Sequence, residues 1–235
     1  MRTGTSGWSY PEWVGSFYPP GTKPARMLGV YAETLGAVEA HATYRRRPAA
    51  AALERWRDQV PSTFRFAPKA HMGITHRRDL DGIEDRVAAF LAAVAPLGER
   101  VGPVLLSLPH LEPDLGRLDR LLAALPRPPA GPVAAFELGP RWHIGPVLDR
   151  LEAHGATLAV VDDDSGGTPG PLSVGPVAYL RLRRAEYDDG SLAAWAERLA
   201  KHRADGRDGY VFFKHDDDGT GPTYARRLAA LVDEA

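Results

Sequence analysis

Eight short apolar runs recur along this chain, most of them ending in polar or charged residues. Helix-period segments separate most of the runs. The runs lie at Arg2–Gly7, Ala37–Thr43, Phe64–Ala70, Val104–Leu108, Val133–Leu138, Thr157–Asp162, Val177–Arg183 and Tyr210–His215. Strands that alternate with helices build βαβ units and hence a parallel sheet. Eight such units predict one α/β domain over residues 1–235, folded as a (β/α)8 TIM-like barrel. In that architecture the reactive side chains sit at the C-terminal ends of the strands, so the rhythm says where the chemistry lies before it says which chemistry.

The intervening segments support this reading. Ile83, Val87, Phe90, Leu91, Val94 and Leu97 repeat at helical spacing, as do Leu115, Leu118, Leu121, Leu122 and Leu125. Further helices are predicted around Val147–Leu151, Leu192–Leu199 and Ala225–Val232, with weaker ones over Ala25–Leu35 and Ala49–Gln59. Between strands six and seven, Asp163–Pro176 is half Gly and Pro, so no helix is expected there. An open doubly wound sheet is the competing architecture. It usually carries a glycine-rich first turn, and here the segment Trp8–Tyr18 is aromatic, contains Pro11, and has no Gly-x-Gly-x-x-Gly.

The absence of cysteine excludes disulfides, thiolate catalysis and thiolate-held metals. No apolar run resembles a signal peptide or is long enough to span a bilayer, so a cytoplasmic protein with no membrane partner is expected. A net charge of −1 offers no overall attraction to nucleic acid, although a nucleotide or nucleic-acid end remains one possible ligand. Arginine outnumbers lysine 25 to 4, a bias that GC-rich coding produces by itself, so arginines carry weight only at strand ends.

Side chains alternate along a strand, which sorts the polar residues into faces. Glu39, His41 and Thr43 share one face, Lys69 and His71 another, Leu158, Val160 and Asp162 a third, and Tyr179, Arg181 and Arg183 a fourth. Glu137 and the pair Lys214–His215 close two more strands. Paired with each other, as in Glu39–Lys69 or Glu137–Arg181, these residues would be buried structural ion pairs. Converging on one mouth, they would form a site. Three chemistries suit that site: an anion pocket, a metal site using Glu39, His41, His71, Asp162 or His215, and proton transfer with Glu39 as base and Lys69 or a histidine as acid. Trp8, Tyr10 and Trp13 would stand at the rim, as a hydrophobic plug or as a stacking surface.

At these residues the chain resembles the DUF72 (YecE-like) family. Gly4-Thr5-Ser6-Gly7-Trp8-Ser9-Tyr10 with Trp13 and Phe17-Tyr18-Pro19 is the most specific match. Val38-Glu39 with Thr43 and Pro48 resembles a second block, and Phe64-Arg65-Phe66-Ala67 with Lys69-Ala70 and Ile74-Thr75-His76 a third. Gly102-Pro103-Val104-Leu105 with Leu108-Pro109, and Tyr179 with Arg181-Leu182 and Tyr187, extend the likeness over nearly the whole chain. The resemblance implies a TIM-like barrel and no settled reaction. Five departures fall at the presumed mouth: His41 for the family's usual Asn, Ser107 for Gln, Gly139 for Arg, Arg183 for His, and Lys214-His215 for Asn-Asn. They imply a divergent member, with an altered ligand or with its activity lost.

The resulting expectation is an enzyme acting on a small anionic, phosphate-bearing substrate, with a non-catalytic binding module and a metal-dependent hydrolase as alternatives. Glu39 is expected as the acid/base and Lys69 as its electrostatic partner. Arg181, Arg183 and Lys214 would hold the anion, with Trp8, Tyr10, His41, Thr43, His76 and His215 as further substrate contacts. Neither a cofactor nor a resident metal is expected. Arg181, read as a rim charge, is expected to tolerate removal without loss of the fold.

Overall fold

The computed structural model describes residues 1–76, 80–108, 111–166 and 169–234. Among the described residues there are eight strands: β1 (Arg2–Thr5), β2 (Ala37–Ala40), β3 (Arg65–Pro68), β4 (Val104–Leu108), β5 (Ala134–Leu138), β6 (Thr157–Asp162), β7 (Val177–Leu182) and β8 (Asp208–Phe213). All pair in parallel. Six form one sheet in the order β1-β8-β7-β6-β5-β4, and β2 pairs with β3. Parallel bridges join the two groups at both edges. Ser6 pairs with Glu39 on the β1 side, and Phe66 with Val101 and Lys69 with Leu105 on the β4 side.

The helices, among the described residues, are α1 (Pro24–Ala32), α2 (Ala42–Arg45), α3 (Ala50–Asp58), α4 (Met72–Thr75), α5 (Ile83–Val94), α6 (Leu115–Ala124), α7 (Gly145–His154), α8 (Asp189–Ala204) and α9 (Thr220–Glu234). Their ends follow local chemistry. Asp114 and Asp188 accept from the backbone N–H of Arg117 (3.0 Å) and Ser191 (2.8 Å), capping α6 and α8. Asp216 does the same for Thr220 and Gly221 at the start of α9. Gly155 closes α7 at φ 77°, a left-handed turn that glycine adopts without strain. Between β6 and β7 the described residues 163–166 and 169–176 form turns and no helix, as their Gly and Pro content predicts.

Two apolar clusters divide the strand side chains. The larger one lies between strands and helices and includes Val38, Phe66, Leu106, Phe136, Val160 and Leu180. The smaller one takes Ala37, Ala67, Leu105, Ala135, Ala159, Tyr179, Tyr210 and Phe212 from seven strands, β2 to β8. On β1, Gly4 stands in register with Phe212. A Cβ at Gly4 would lie 1.9 Å from the Ala37 carbonyl oxygen, so only glycine lets β1 approach β2 this closely.

Three facing assignments change. β2 ends at Ala40 and the chain turns into α2, so Thr43 does not continue the face of Glu39. Its buried hydroxyl lies 2.8 Å from the Ala40 carbonyl and 2.7 Å from that of Lys69, tying the ends of β2 and β3 together. β3 ends at Pro68, and His71 caps α4, its ring accepting from Gly73 N–H at 3.0 Å. Asp162 faces the helices. It accepts from Arg184 Nε (2.8 Å) and the Trp195 indole (2.9 Å), away from the cluster that holds Ala159. Pro109 of the fourth family block lies outside the described residues.

Candidate functional site

Two residues beyond five members of the smaller cluster, and beyond Gly4 of β1, the same strand faces turn polar. Ala37 leads to Glu39, Ala67 to Lys69, Leu105 to Ser107, Ala135 to Glu137, Tyr179 to Arg181, and Gly4 to Ser6. Strand periodicity therefore stacks a charged layer on an apolar one, at the C-terminal strand ends.

Glu39, fully buried, anchors this layer. Arg181 grips it with two N–H groups, Nε to Oε1 at 2.8 Å and Nη2 to Oε2 at 3.0 Å. Tyr179 donates to Oε1 at 3.0 Å, while Ser6 (2.6 Å) and Arg183 (2.8 Å) donate to Oε2. The His41 Nε2 atom lies 2.9 Å from the same oxygen. Arg181 reaches the second carboxylate through Nη1, 2.6 Å from Glu137 Oε1, and Ser107 donates to the other oxygen of Glu137. Both oxygens of each carboxylate thus accept at least one hydrogen bond.

The electrostatics follow from this geometry. Burial pushes the Glu39 carboxyl up, but Arg181 and then Arg183 outweigh it and hold Glu39 well below the usual carboxylate range. Glu137 is also held down, burial being outweighed by Arg181 and the Ser107 hydrogen bond. Burial and the Glu39 charge push the Tyr179 phenol far up, so it stays a donor. A carboxylate held this far down, with donors on both oxygens, is a permanent anion and a poor proton acceptor. Glu39 thus anchors the cationic groups, and the geometry does not favour the acid/base role expected for it. Arg181 is buried with both carboxylates, so it is no rim charge.

Lys69 differs from its neighbours. It is half-buried, its ammonium sits 4.7 Å from the centroid of the Tyr44 ring, and among the described residues it makes no ion pair. Burial, then the charge of Arg181, lowers its pKa below the ordinary lysine value, against the pull of Glu137 and Glu39. Lys69 lines an open cleft of about 580 Å³ with His41, Tyr44, Arg45 and Arg46. The Tyr44 hydroxyl is 3.1 Å from His76 Nε2, and the Thr75 hydroxyl is 2.8 Å from His76 Nδ1.

The remaining expected contacts lie further out. Tyr10 stacks on His215 at 4.7 Å with the rings nearly parallel, and its hydroxyl donates to the Ser6 carbonyl at 2.6 Å. Burial pushes the Tyr10 phenol up to about 12 despite Arg183 nearby. Trp8 packs edge-on against Trp56 (4.8 Å) and Phe66 (6.2 Å), on the helix side of the sheet. Trp13 is fully buried and donates to the Asp216 carbonyl at 2.6 Å, an arrangement that fits the plug, one of the two readings open for this segment. Lys214 is half-buried and joins no ion pair or side-chain hydrogen bond of the described network.

Sequence reasoning missed Ser6, Tyr44, Arg45 and Arg46. The signal was present in Tyr44-Arg45-Arg46-Arg47 directly after the second strand, and the discount applied to an arginine-rich composition hid it. Three departures from the family pattern act on the carboxylates: His41 and Arg183 touch Glu39, and Ser107 touches Glu137. Among the described residues, no three His, Asp or Glu side chains gather as a metal-ligand set, and no helix is long and apolar enough to cross a membrane.

These features define a class: a parallel-stranded α/β protein whose C-terminal strand ends carry a buried carboxylate–guanidinium network beside an open basic cleft. Residues 2–235 match the family model described as "Protein of unknown function DUF72", and the chain belongs to that family. UPF0759 protein YecE of Escherichia coli K12 is 33% identical over 102 residues, 43% of this chain and 35% of YecE. YunF of Bacillus subtilis is 32% identical over 97 residues, 40% of this chain and 33% of YunF. These matches thus span about a third of the curated relatives' length. The DUF72 protein TM1631 of Thermotoga maritima superimposes with a TM-score of 0.84 at 22% identity, over 99% of this chain and 98% of that one. EF0366 of Enterococcus faecalis gives 0.78 at 18% identity, over 99% and 95%. At these identities the structural likeness establishes the fold alone.

Proposed function

We propose that the eight strands close into a single-domain (β/α)8 barrel whose C-terminal mouth binds a small phosphate- or carboxylate-bearing anion. The bridges Ser6–Glu39, Phe66–Val101 and Lys69–Leu105 support closure, as does an apolar cluster shared by seven strands. The observation that carries the ligand reading is the Lys69 ammonium, without an ion pair among the described residues, in a cleft whose nearest carboxylates are already committed. Glu39 and Glu137 contribute −2, and Arg181, Arg183 and Lys69 contribute +3. That leaves +1 at the cleft wall, and the exposed Arg45 and Arg46 add to it. With a net charge of only −1 overall, the protein exerts no long-range pull on a polyanion, which favours a small ligand over nucleic acid.

In this reading Lys69, His41, Arg45 and Arg46 face the anion, Glu39 and Arg181 hold the cleft wall rigid, and Tyr10 with His215 forms the rim. Trp8 and Thr43 serve as scaffold. Calorimetric titration of inorganic phosphate into wild type and Lys69→Ala tests it. Loss of one charge-assisted hydrogen bond, about 1.5–3 kcal/mol, corresponds to roughly 10- to 150-fold weaker binding. Equal affinity in the two folded proteins, or no binding by wild type, would overturn the proposal.

A further inference from the structure

We propose that Lys69 is a nucleophile, its amine condensing with the carbonyl of a small anionic aldehyde or ketone to form an imine. The identity of the substrate's charged group rests on the anion-site reading above; the nucleophile itself rests on the surroundings of Lys69. A lysine becomes a useful nucleophile when it is desolvated, has no carboxylate fixing its proton, and sits beside another cation. Lys69 meets all three conditions. It is half-buried at the end of β3, makes no ion pair among the described residues, and has the Arg181 guanidinium near enough to lower its pKa. It is also held at a strand end, on rigid backbone, at the wall of a cleft of about 580 Å³ that a small substrate and a released water can enter.

The step needs a proton carrier, and the open cleft admits water to act as one. Tyr44 lies under the Lys69 ammonium, and its hydroxyl reaches His76 Nε2 at 3.1 Å. The ammonium first passes a proton to a water in the open cleft. The nitrogen lone pair then forms the C–N bond, and the carbonyl π electrons move to oxygen, which is protonated. A second proton transfer lets that oxygen leave as water. In sum, R–NH3+ and O=CR2 yield R–NH+=CR2 and H2O, so no oxidant or reductant is required. The iminium carries the same charge as the ammonium it replaces, which keeps the balance against Glu39 and Glu137 unchanged. The anionic end of the substrate would lie toward Arg45 and Arg46 on the same cleft wall.

The chain has four lysines, Lys23, Lys69, Lys201 and Lys214, so a trapping experiment reads cleanly. Wild-type protein is incubated with glyoxylate or glyceraldehyde 3-phosphate and sodium cyanoborohydride, and the reduced adduct is mapped by peptide mass spectrometry. The expected result is roughly tenfold more adduct at Lys69 than at each other lysine. Lys69→Arg keeps the charge but has no amine that can condense, so it should lose the selective adduct. Even labelling of the four lysines, or no adduct at Lys69, would overturn the proposal. Selective labelling of Lys69 by acetaldehyde in a protein that binds no phosphate would sustain the nucleophile and refute the anion site.

Discussion

Replacing Arg181 by alanine tests the central network most directly. Its guanidinium makes two contacts to Glu39 and one to Glu137, and all three side chains are buried. After truncation, Glu39 keeps Ser6, His41, Tyr179 and Arg183. Glu137 keeps the Ser107 hydroxyl as its hydrogen-bond partner. Leaving a buried charge uncompensated costs about 3–5 kcal/mol. A domain is stable by roughly 5–15 kcal/mol, and one of this size loses about 2–4 °C of Tm per kcal/mol, so a drop of about 6–20 °C at pH 7 is expected. The pH dependence makes the test sharper. In wild type both carboxyls titrate below their ordinary value of 4.5, so their contribution is complete above that pH and is lost as pH falls through the lowered values. Without Arg181, burial dominates and the carboxyls shift upward, so protonation relieves the variant as pH falls. The stability gap between the two proteins should therefore narrow from pH 7 to pH 4 in urea unfolding followed by circular dichroism. A loss below about 1 kcal/mol, or a gap that does not change with pH, would refute the reasoning.

Three further substitutions probe the frame around the site. Gly4→Ala places a Cβ 1.9 Å from a backbone carbonyl oxygen that cannot rotate away, so it should cost at least the ~1–3 kcal/mol of ordinary overpacking. Gly29→Ala, inside α1 with its nearest contact at 3.8 Å, is the matched control and should be neutral or slightly stabilising in thermal melts. Asp162→Ala removes the acceptor of the buried Trp195 indole and of Arg184, so about 1–3 kcal/mol of stability should be lost. Its side chain faces the helices, so the phosphate affinity of the folded variant should match wild type. A weakened affinity would return Asp162 to the site.

The order of strands and helices, and the region where polar groups gather, could be read from the sequence. Each depends on local physics: apolar runs of strand length, helical spacing, and Gly and Pro where a helix cannot form. The residues Glu39, Lys69, Glu137 and Arg181 were identifiable for the same reason, since charge at the end of an apolar run is rare enough to stand out. Facing was a different matter. A strand buried on both sides is apolar at every position, so Thr157–Asp162 reads equally well in either phase. Pairing of Ala159 with Tyr179 settles the phase and sends Asp162 outward. The strand ends were equally hidden, because the turns after Ala40 and Pro68 that removed Thr43 and His71 from the site answer to packing beyond the run itself. Roles depended most on tertiary structure. Glu39 is a locked anion because Arg181 and Arg183, more than 140 residues away, close on it, while among the described residues no carboxylate pairs with Lys69. Composition and periodicity determine which groups are present and on which element. The charge a buried group carries is set by its neighbours, and only the fold chooses those.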